Sequence, residues 1–362
     1  MKKILLVNPF GIGDVLFTTA VLRAIKEGYP DSFIGYWCNQ RVSDILKDNP
    51  RVNVIFALSR GDLKKIYRRS KFAGIGTFFS LVYGIKRHKF DILLDFSLEH
   101  RYSLIAKLLG IRQRIGFDYK GRGRFLSEKI GLAGYRDKHV VEYYLDLLQF
   151  LYLKAGQARL ELPLSEAARA RAANLLLSFG VAQNDPVVGI VPGAGASWGK
   201  DAALKHWPAI RFTQLADRIA GELKAKIVLL GDEKDRPMAD AIAGMMKHRP
   251  IDLAGKTSLE ELAALISGLK MAVTNDGGPL HMAVAAGVKT VSIFGPVDEN
   301  VYGPYPGGEG HIVIKAPAPC RPCYKNFRPA LCEYDRQCIE SITVEEVFAA
   351  CKRQLIQTNQ IN

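Results

Sequence analysis

Short apolar runs alternate with helical patterns along the whole chain, in two successive series. This alternation constrains the fold more than any other feature. Strands separated by helices pair in parallel and wind into a doubly wound sheet. The stretch Met271–Gly295 shows the repeating unit most clearly. Met271–Val273 is a short apolar run, Thr274–Gly278 is turn chemistry, and Pro279 suits a first helical turn, where its missing N–H costs nothing. Leu280, Val284 and Ala285 recur at helical spacing, Gly287 stops the helix, and Thr290–Phe294 is a buried strand.

The first series predicts strands at Ile4–Val7, Phe33–Cys38, Val52–Phe56, Asp91–Phe96 and, shorter, Arg114–Gly116, with a helix over Val15–Ile25. Ser59–Lys89 reads as a helix plus a mobile loop, and Gly116–Phe125 as a basic loop. The second series predicts strands at Val187–Val191, Ile227–Leu230, Ile251–Leu253, Met271–Val273 and Thr290–Phe294. Its helices are Phe212–Leu223, Met238–Met246, Ser258–Leu269 and Pro279–Ala286, with Ser258 and Glu261 spelling a capping box. At 362 residues, two domains are the natural division. The expected fold is α/β with an N-terminal domain over 1–160 and a second over 161–340, joined near Gly156–Leu164. A last helix, Thr343–Gln357 within 341–362, is expected to pack back on the first domain.

No apolar run reaches the ~18 residues of a membrane span. The start, MKKILLVNPFGIGD, is too short in its apolar part for a leader and reads as a first buried strand, so a cytoplasmic location is expected. Net charge is +14, and between Arg60 and Arg124 there are 16 Lys and Arg against 5 Asp and Glu. That excess calls for a polyanionic partner: nucleic acid, an anionic membrane surface or a phosphorylated substrate. No nucleic-acid module signature accompanies it. Cys320, Cys323, Cys332 and Cys338 are spaced C-x2-C-x8-C-x5-C, which leaves open structural zinc or reduced thiols packed in a loop.

The chemistry is in the turns after the strands, where open α/β sheets bind ligands. The first turn, NPFGIGDVLF, holds Gly11 and Gly13 but lacks the third glycine of a dinucleotide fingerprint. Asp14 stands where a pyrophosphate would approach, which disfavours a nicotinamide or flavin enzyme. It suits a general base for a hydroxyl nucleophile, with a helix cap as the alternative. In VPGAGASWGKDAALKHWP, the small residues Gly193, Gly195, Ala196 and Ser197 can cradle a phosphate through backbone N–H groups. Lys205 follows, placed to neutralise a diphosphate leaving group without a metal. Glu233, after the strand ending at Leu230, is a candidate for ribose hydroxyls. Asp276, Gly277 and Gly278 open an anion-friendly helix N-terminus, where Asp276 can accept from a sugar hydroxyl or act as an N-cap. A nucleotide in the second domain and an acceptor with its base in the first describe a nucleotide-sugar transferase.

As a set, these motifs resemble the ADP-heptose:lipopolysaccharide heptosyltransferases, glycosyltransferase family 9. The resemblance runs nearly end to end: GIGD, KHWP, LGDE, T-N-D-G-G-P-x-H, FGP and the C-x-P-C-x-K tail. It implies a GT-B fold of two Rossmann-like domains facing across a cleft, and inverting transfer of a heptose from ADP-heptose without metal or other cofactor. It implies Asp14 as the acceptor-activating base, with Lys205, Glu233 and the Asp276–Gly278 turn around ADP. Basic residues of the first domain, with Arg60, Lys64, Lys120 and Arg122 as the matching positions, would hold an anionic lipopolysaccharide core. The protein would then work at the inner face of the inner membrane, with no nucleic-acid partner. Gly277 replaces a hydroxyl residue often found in the family, and the tail cysteines are more widely spaced. The alternatives are another sugar-nucleotide enzyme of the same fold, such as an epimerase, and a non-enzymatic binder of RNA or membrane.

Overall fold

The computed structural model describes residues 1–356 apart from Ser59, Gly195 and Glu309, and does not describe the side chains of Arg60, Ala196, Ser197 and Lys200. The chain divides into two units, Met1–Pro163 and Leu164–Asn362.

The first unit runs β1 (Lys3–Val7), α1 (Ile12–Gly28), β2 (Phe33–Cys38), β3 (Val54–Ala57), α2 (Arg60–Arg69), α3 (Lys71–His88), β4 (Ile92–Asp95), α4 (His100–Leu108), β5 (Gln113–Tyr119), β6 (Glu128–Leu132) and α5 (Val140–Asp146). Its sheet has the order β3-β2-β1-β4-β5-β6, with every pairing parallel. The chain therefore reverses its direction of travel between β1 and β4, where Val7 lies beside Asp95.

The second unit repeats the plan with α6 (Glu166–Ser178), β7 (Val187–Val191), α7 (Ala209–Glu222), β8 (Lys226–Leu229), α8 (Arg236–Met245), β9 (Ile251–Asp252), α9 (Leu259–Ser267), β10 (Met271–Asn275), α10 (Gly278–Ala285), β11 (Lys289–Phe294), α11 (Glu299–Tyr302), β12 (His311–Lys315), α12 (Gln337–Glu340) and α13 (Val344–Ile356). The order is β12-β11-β10-β7-β8-β9, again all parallel, with the reversal between β7 and β10. Both central strands are buried along their whole length, as a sheet covered on both faces requires. The capping box at Ser258 forms, its hydroxyl taking the Glu261 N–H while that carboxylate takes the Ser258 N–H.

Three expectations are corrected. Ser59–Lys89 forms two helices among its described residues instead of a helix and a loop. Ser70 caps α3 by accepting the Ala73 N–H at 3.2 Å. Gly74 lets α3 cross α2 closely, since a Cβ there would stand 2.9 Å from the Tyr67 Cα. The supposed loop at Gly116–Phe125 begins as strand: β5 runs to Tyr119. Asp118, one of the polar residues of that segment, is paired across to β6, with Lys129 Nζ 2.7 Å from its Oδ2. The C-terminal helix packs into the second unit's core. Val344, Val347, Phe348 and Cys351 recur at helical spacing and bury against Trp207 and Phe212. Trp207, fully buried, donates its indole N–H to the Ile342 carbonyl, and Arg211 donates to the Glu340 and Ile342 carbonyls.

Candidate functional site

In the second unit, the strand ends at the reversal point build one polar cluster. β7 ends in the turn Pro192–Gly193–Ala194 and β10 ends at Asn275. Asn275 ties the two together: its Nδ2 donates to the Pro192 carbonyl at 2.6 Å and its Oδ1 accepts the Trp207 N–H at 3.2 Å. His206 joins the same turn through the Ala194 N–H, 3.2 Å from Nε2. This scaffold fixes the next residues on either side, Lys205 and Asp276. Lys205 Nζ lies 2.6 Å from Asp276 Oδ2, and both side chains are nearly buried, at 10% and 6% exposure. The Lys205 ammonium also lies 4.2 Å from the centre of the Trp198 ring, which stacks on Tyr324 at 4.6 Å.

Asp276 is therefore no helix cap. The cap position of α10 is Gly277, in extended backbone with no side-chain cap bond, so the first N–H groups of the helix have no capping side chain. Gly278 is the first helical residue. Gly277 faces Ala194, since a Cβ there would be 3.6 Å from the Ala194 Cα. Ala196 and Ser197 begin the short 3-10 segment ending at Lys205. Gly195 lies outside the described residues, as do the side chains of Ala196 and Ser197.

Glu233 is exposed at the end of β8, the neighbour of β7, with its carboxylate over Gly255. The same turn holds a residue that sequence reasoning missed. Asp235 accepts the Asp232 N–H at 2.9 Å and presses on Gly193 so closely that a Cβ there would lie 1.8 Å from Oδ1. Burial raises the Asp235 carboxyl above its ordinary range.

In the first unit the corresponding turn is held by two buried asparagines. Asn8 accepts the Phe10 N–H, and its amide donates to the Asp14 carbonyl; Asn39 donates to the carbonyls of Pro9 and Phe10. Asp14 is the third residue of α1, and its Oδ2 accepts the Gly11 N–H at 3.3 Å. The N-cap of α1 is Gly11 and not Asp14, which instead caps backwards from the third helical position. A carboxylate carries about four lone-pair sites, and the Gly11 N–H takes one of them. Burial raises the hydroxyl pKa values of Tyr36, Tyr135 and Tyr144, with the Asp14 charge adding to each rise.

Asp95 was also missed. It ends β4 beside Val7, is almost fully buried, and accepts the Ser97 N–H at 2.9 Å. Burial pushes its carboxyl up to about 6. The signal for it is positional: a carboxylate closing the apolar run Ile92–Leu94, level with the glycine turn.

The basic candidates separate. Lys120 and Arg122 gather over Tyr119 after β5, at 5.1 and 5.7 Å, and Arg122 reaches Glu99 at 3.7 Å. Lys64 is exposed on α2, which follows β3, and Arg60 opens that helix with its side chain outside the described residues. Four strand positions separate β3 from β5, about 19 Å at ~4.8 Å each.

Cys320, Cys323, Cys332 and Cys338 line one small cavity as free thiols. Cys332 Sγ accepts the Arg336 N–H at 3.2 Å, and burial raises the Cys338 thiol to about 11. Among the described residues, no three His, Cys, Asp or Glu side chains are arranged to hold a metal ion.

Comparison with known proteins bears on the whole arrangement. The lipopolysaccharide heptosyltransferase 3 of Escherichia coli is 27% identical over 297 residues, covering 81% of this chain and 83% of that one. A glycosyltransferase family 9 protein from Veillonella parvula superposes with a TM-score of 0.82 at 23% identity, over 98% of both chains. The ADP-heptose lps heptosyltransferase II of E. coli superposes at 0.76 and 22% identity, over 99% of this chain and 100% of that one. These superpositions identify the two Rossmann-like units as a GT-B fold. The model of glycosyltransferase family 9 (heptosyltransferase) matches residues 78–332, from within α3 to beyond β12, and the chain belongs to that family.

Proposed function

We propose that the protein transfers a heptose from ADP-heptose to an anionic lipopolysaccharide core, with inversion and without a metal, at the inner-membrane surface. The observation that carries this reading is the buried Lys205–Asp276 pair at the reversal point of the second sheet. It puts a cation beside the uncapped start of α10, two complementary features for a diphosphate. Asp276 holds the ammonium in place through one of its three N–H donors.

In the proposed reaction, the acceptor hydroxyl oxygen attacks the anomeric carbon while the bond from that carbon to the diphosphate oxygen breaks. Asp14 takes the hydroxyl proton, and the electron pair of the broken bond leaves with ADP. Lys205 and the N–H groups of Gly277 and Gly278 receive the developing charge. The Gly195–Ser197 turn adds backbone donors, and Glu233 holds ribose hydroxyls. Lys120 and Arg122, with Arg60 and Lys64, bind the acceptor's acidic groups.

A thermal-shift series with ADP, UDP, GDP and CDP tests the donor class, and ADP should stabilise most. Turnover of ADP-heptose with a delipidated core acceptor in EDTA, followed by assignment of the new anomeric centre, tests the rest. Retained configuration, or loss of turnover in EDTA that a divalent ion restores, would refute the proposed course.

A further inference from the structure

Helix α3 carries an apolar stripe that the protein leaves uncovered. Phe72, Ile75, Phe79 and Tyr83 are 88%, 47%, 64% and 64% exposed. They are spaced by three, four and four residues, which puts them on one face over roughly 16 Å of helix. The opposite side is the anchored one: Ile85 is buried in the first unit's core, Leu81 packs against it, and Gly74 is closed by Tyr67. Taking ~200 Å² per side chain, the stripe presents roughly 500 Å² of apolar surface, near the upper end of what monomers leave exposed.

The surroundings of the stripe are cationic. Lys64, Lys65, Arg68 and Arg69 on α2, with Lys71, Lys86, Arg87 and Lys89 at the two ends of α3, are all exposed. Asp62 is the one acid between Arg60 and Phe90. Arg87 also lies 5.9 Å from the Tyr83 ring centre. No helix among the described residues is long and apolar enough to cross a membrane. An apolar face at the depth of acyl chains, with lysines and arginines reaching out to headgroups, is the physics of a helix lying in the interface.

We infer that α2 and α3 dock the protein on an anionic lipid bilayer, with Phe72, Ile75, Phe79 and Tyr83 entering the headgroup boundary and the flanking cations meeting the lipid charge. This rests on the reading of the acceptor as a membrane glycolipid, and it assigns the surface that meets that membrane. The flanking cations would meet the phosphates of a bilayer or of RNA alike, and the exposed apolar stripe decides for the bilayer, which alone offers hydrocarbon to Phe72, Ile75 and Phe79.

The test is flotation of the full-length protein with vesicles of phosphatidylcholine alone or with about 30% phosphatidylglycerol. The wild type should float with the anionic vesicles, less so as NaCl rises from 0.1 to 0.5 M, and remain unbound with neutral ones. Phe72→Ser with Phe79→Ser should lower the partition constant at least tenfold. Both side chains are exposed, so circular dichroism, melting temperature and the ADP thermal shift should stay as in the wild type. Turnover on the delipidated acceptor should also be unchanged. Equal flotation of the double variant, equal binding to neutral vesicles, or RNA binding that outcompetes anionic vesicles would overturn the inference. Failure of the proposed reaction would appear separately, as absent turnover on the delipidated acceptor with vesicle binding intact.

Discussion

Replacing Lys205 by Met keeps most of the side chain's length and removes its charge. The consequence follows from the burial of its partner. Asp276 is 4% exposed, and its Oδ2 lies 2.6 Å from the lysine ammonium. Breaking a buried pair on one side leaves an uncompensated charge and typically costs about 3–5 kcal/mol. At an m-value of ~2 kcal/mol/M, that lowers the urea midpoint of the second unit by about 1.5–2.5 M. Adding Asp276→Asn removes the stranded charge, and Asn still accepts hydrogen bonds through its carbonyl. The double variant should therefore recover most of the lost stability. It should not recover nucleotide binding, because the cation beside the helix start is gone. Urea unfolding followed by far-ultraviolet circular dichroism gives the first quantity, and isothermal titration with ADP the second. A midpoint within 0.3 M of wild type for the single variant would refute the closed pair. Full ADP affinity in the stable double variant would remove Lys205 from the diphosphate site.

Asp14→Asn keeps an acceptor for the Gly11 N–H and removes the base. It should lower kcat by about 10²–10⁴-fold while ADP affinity holds within twofold; undiminished turnover would exclude Asp14 as base. Asp95 holds its proton in the folded protein up to about pH 6, against 3.8 as the ordinary value. Between those values the folded state binds more protons than the unfolded one, so stability falls as pH rises through the window, by about 3 kcal/mol. Subtracting the stability profile of Asp95→Asn from that of wild type should isolate this slope, and a difference flat from pH 4 to 7 would contradict it. Gly193→Ala drives a Cβ to within 1.8 Å of Asp235 Oδ1, and the carboxylate must leave its place under Asp232. Overpacking of this kind costs about 1–3 kcal/mol, measurable as a lowered melting temperature.

What the sequence disclosed depended on whether local chemistry or long-range contact decides a position. The central strands β1, β2, β7, β10 and β11 were legible because both their faces are buried, so burial writes an apolar run into the chain. The edge strand β6 was not: Glu128–Leu132 alternates, and its polar residues are satisfied by partners across β5 that no local window contains. Helix α3 was hidden by Gly74, a residue that weakens a helix in isolation and is required here by the crossing with α2. The same division holds at the site. Asp276, Lys205 and Asp14 stood out because glycines surround them. That Lys205 and Asp276, 71 residues apart, close on each other could not be read from either turn. Asp95 and Asp235 carry no motif at all. Their carboxyls are raised because the fold withdraws them from water, and burial is a property of the assembled sheet and not of the pentapeptide around each one. Residues whose chemistry is created by burial are therefore the ones a motif reading passes over. Asp95 stands at the end of β4 and Asp235 in the turn after β8, where the chain leaves a covered layer with its polar groups still to satisfy.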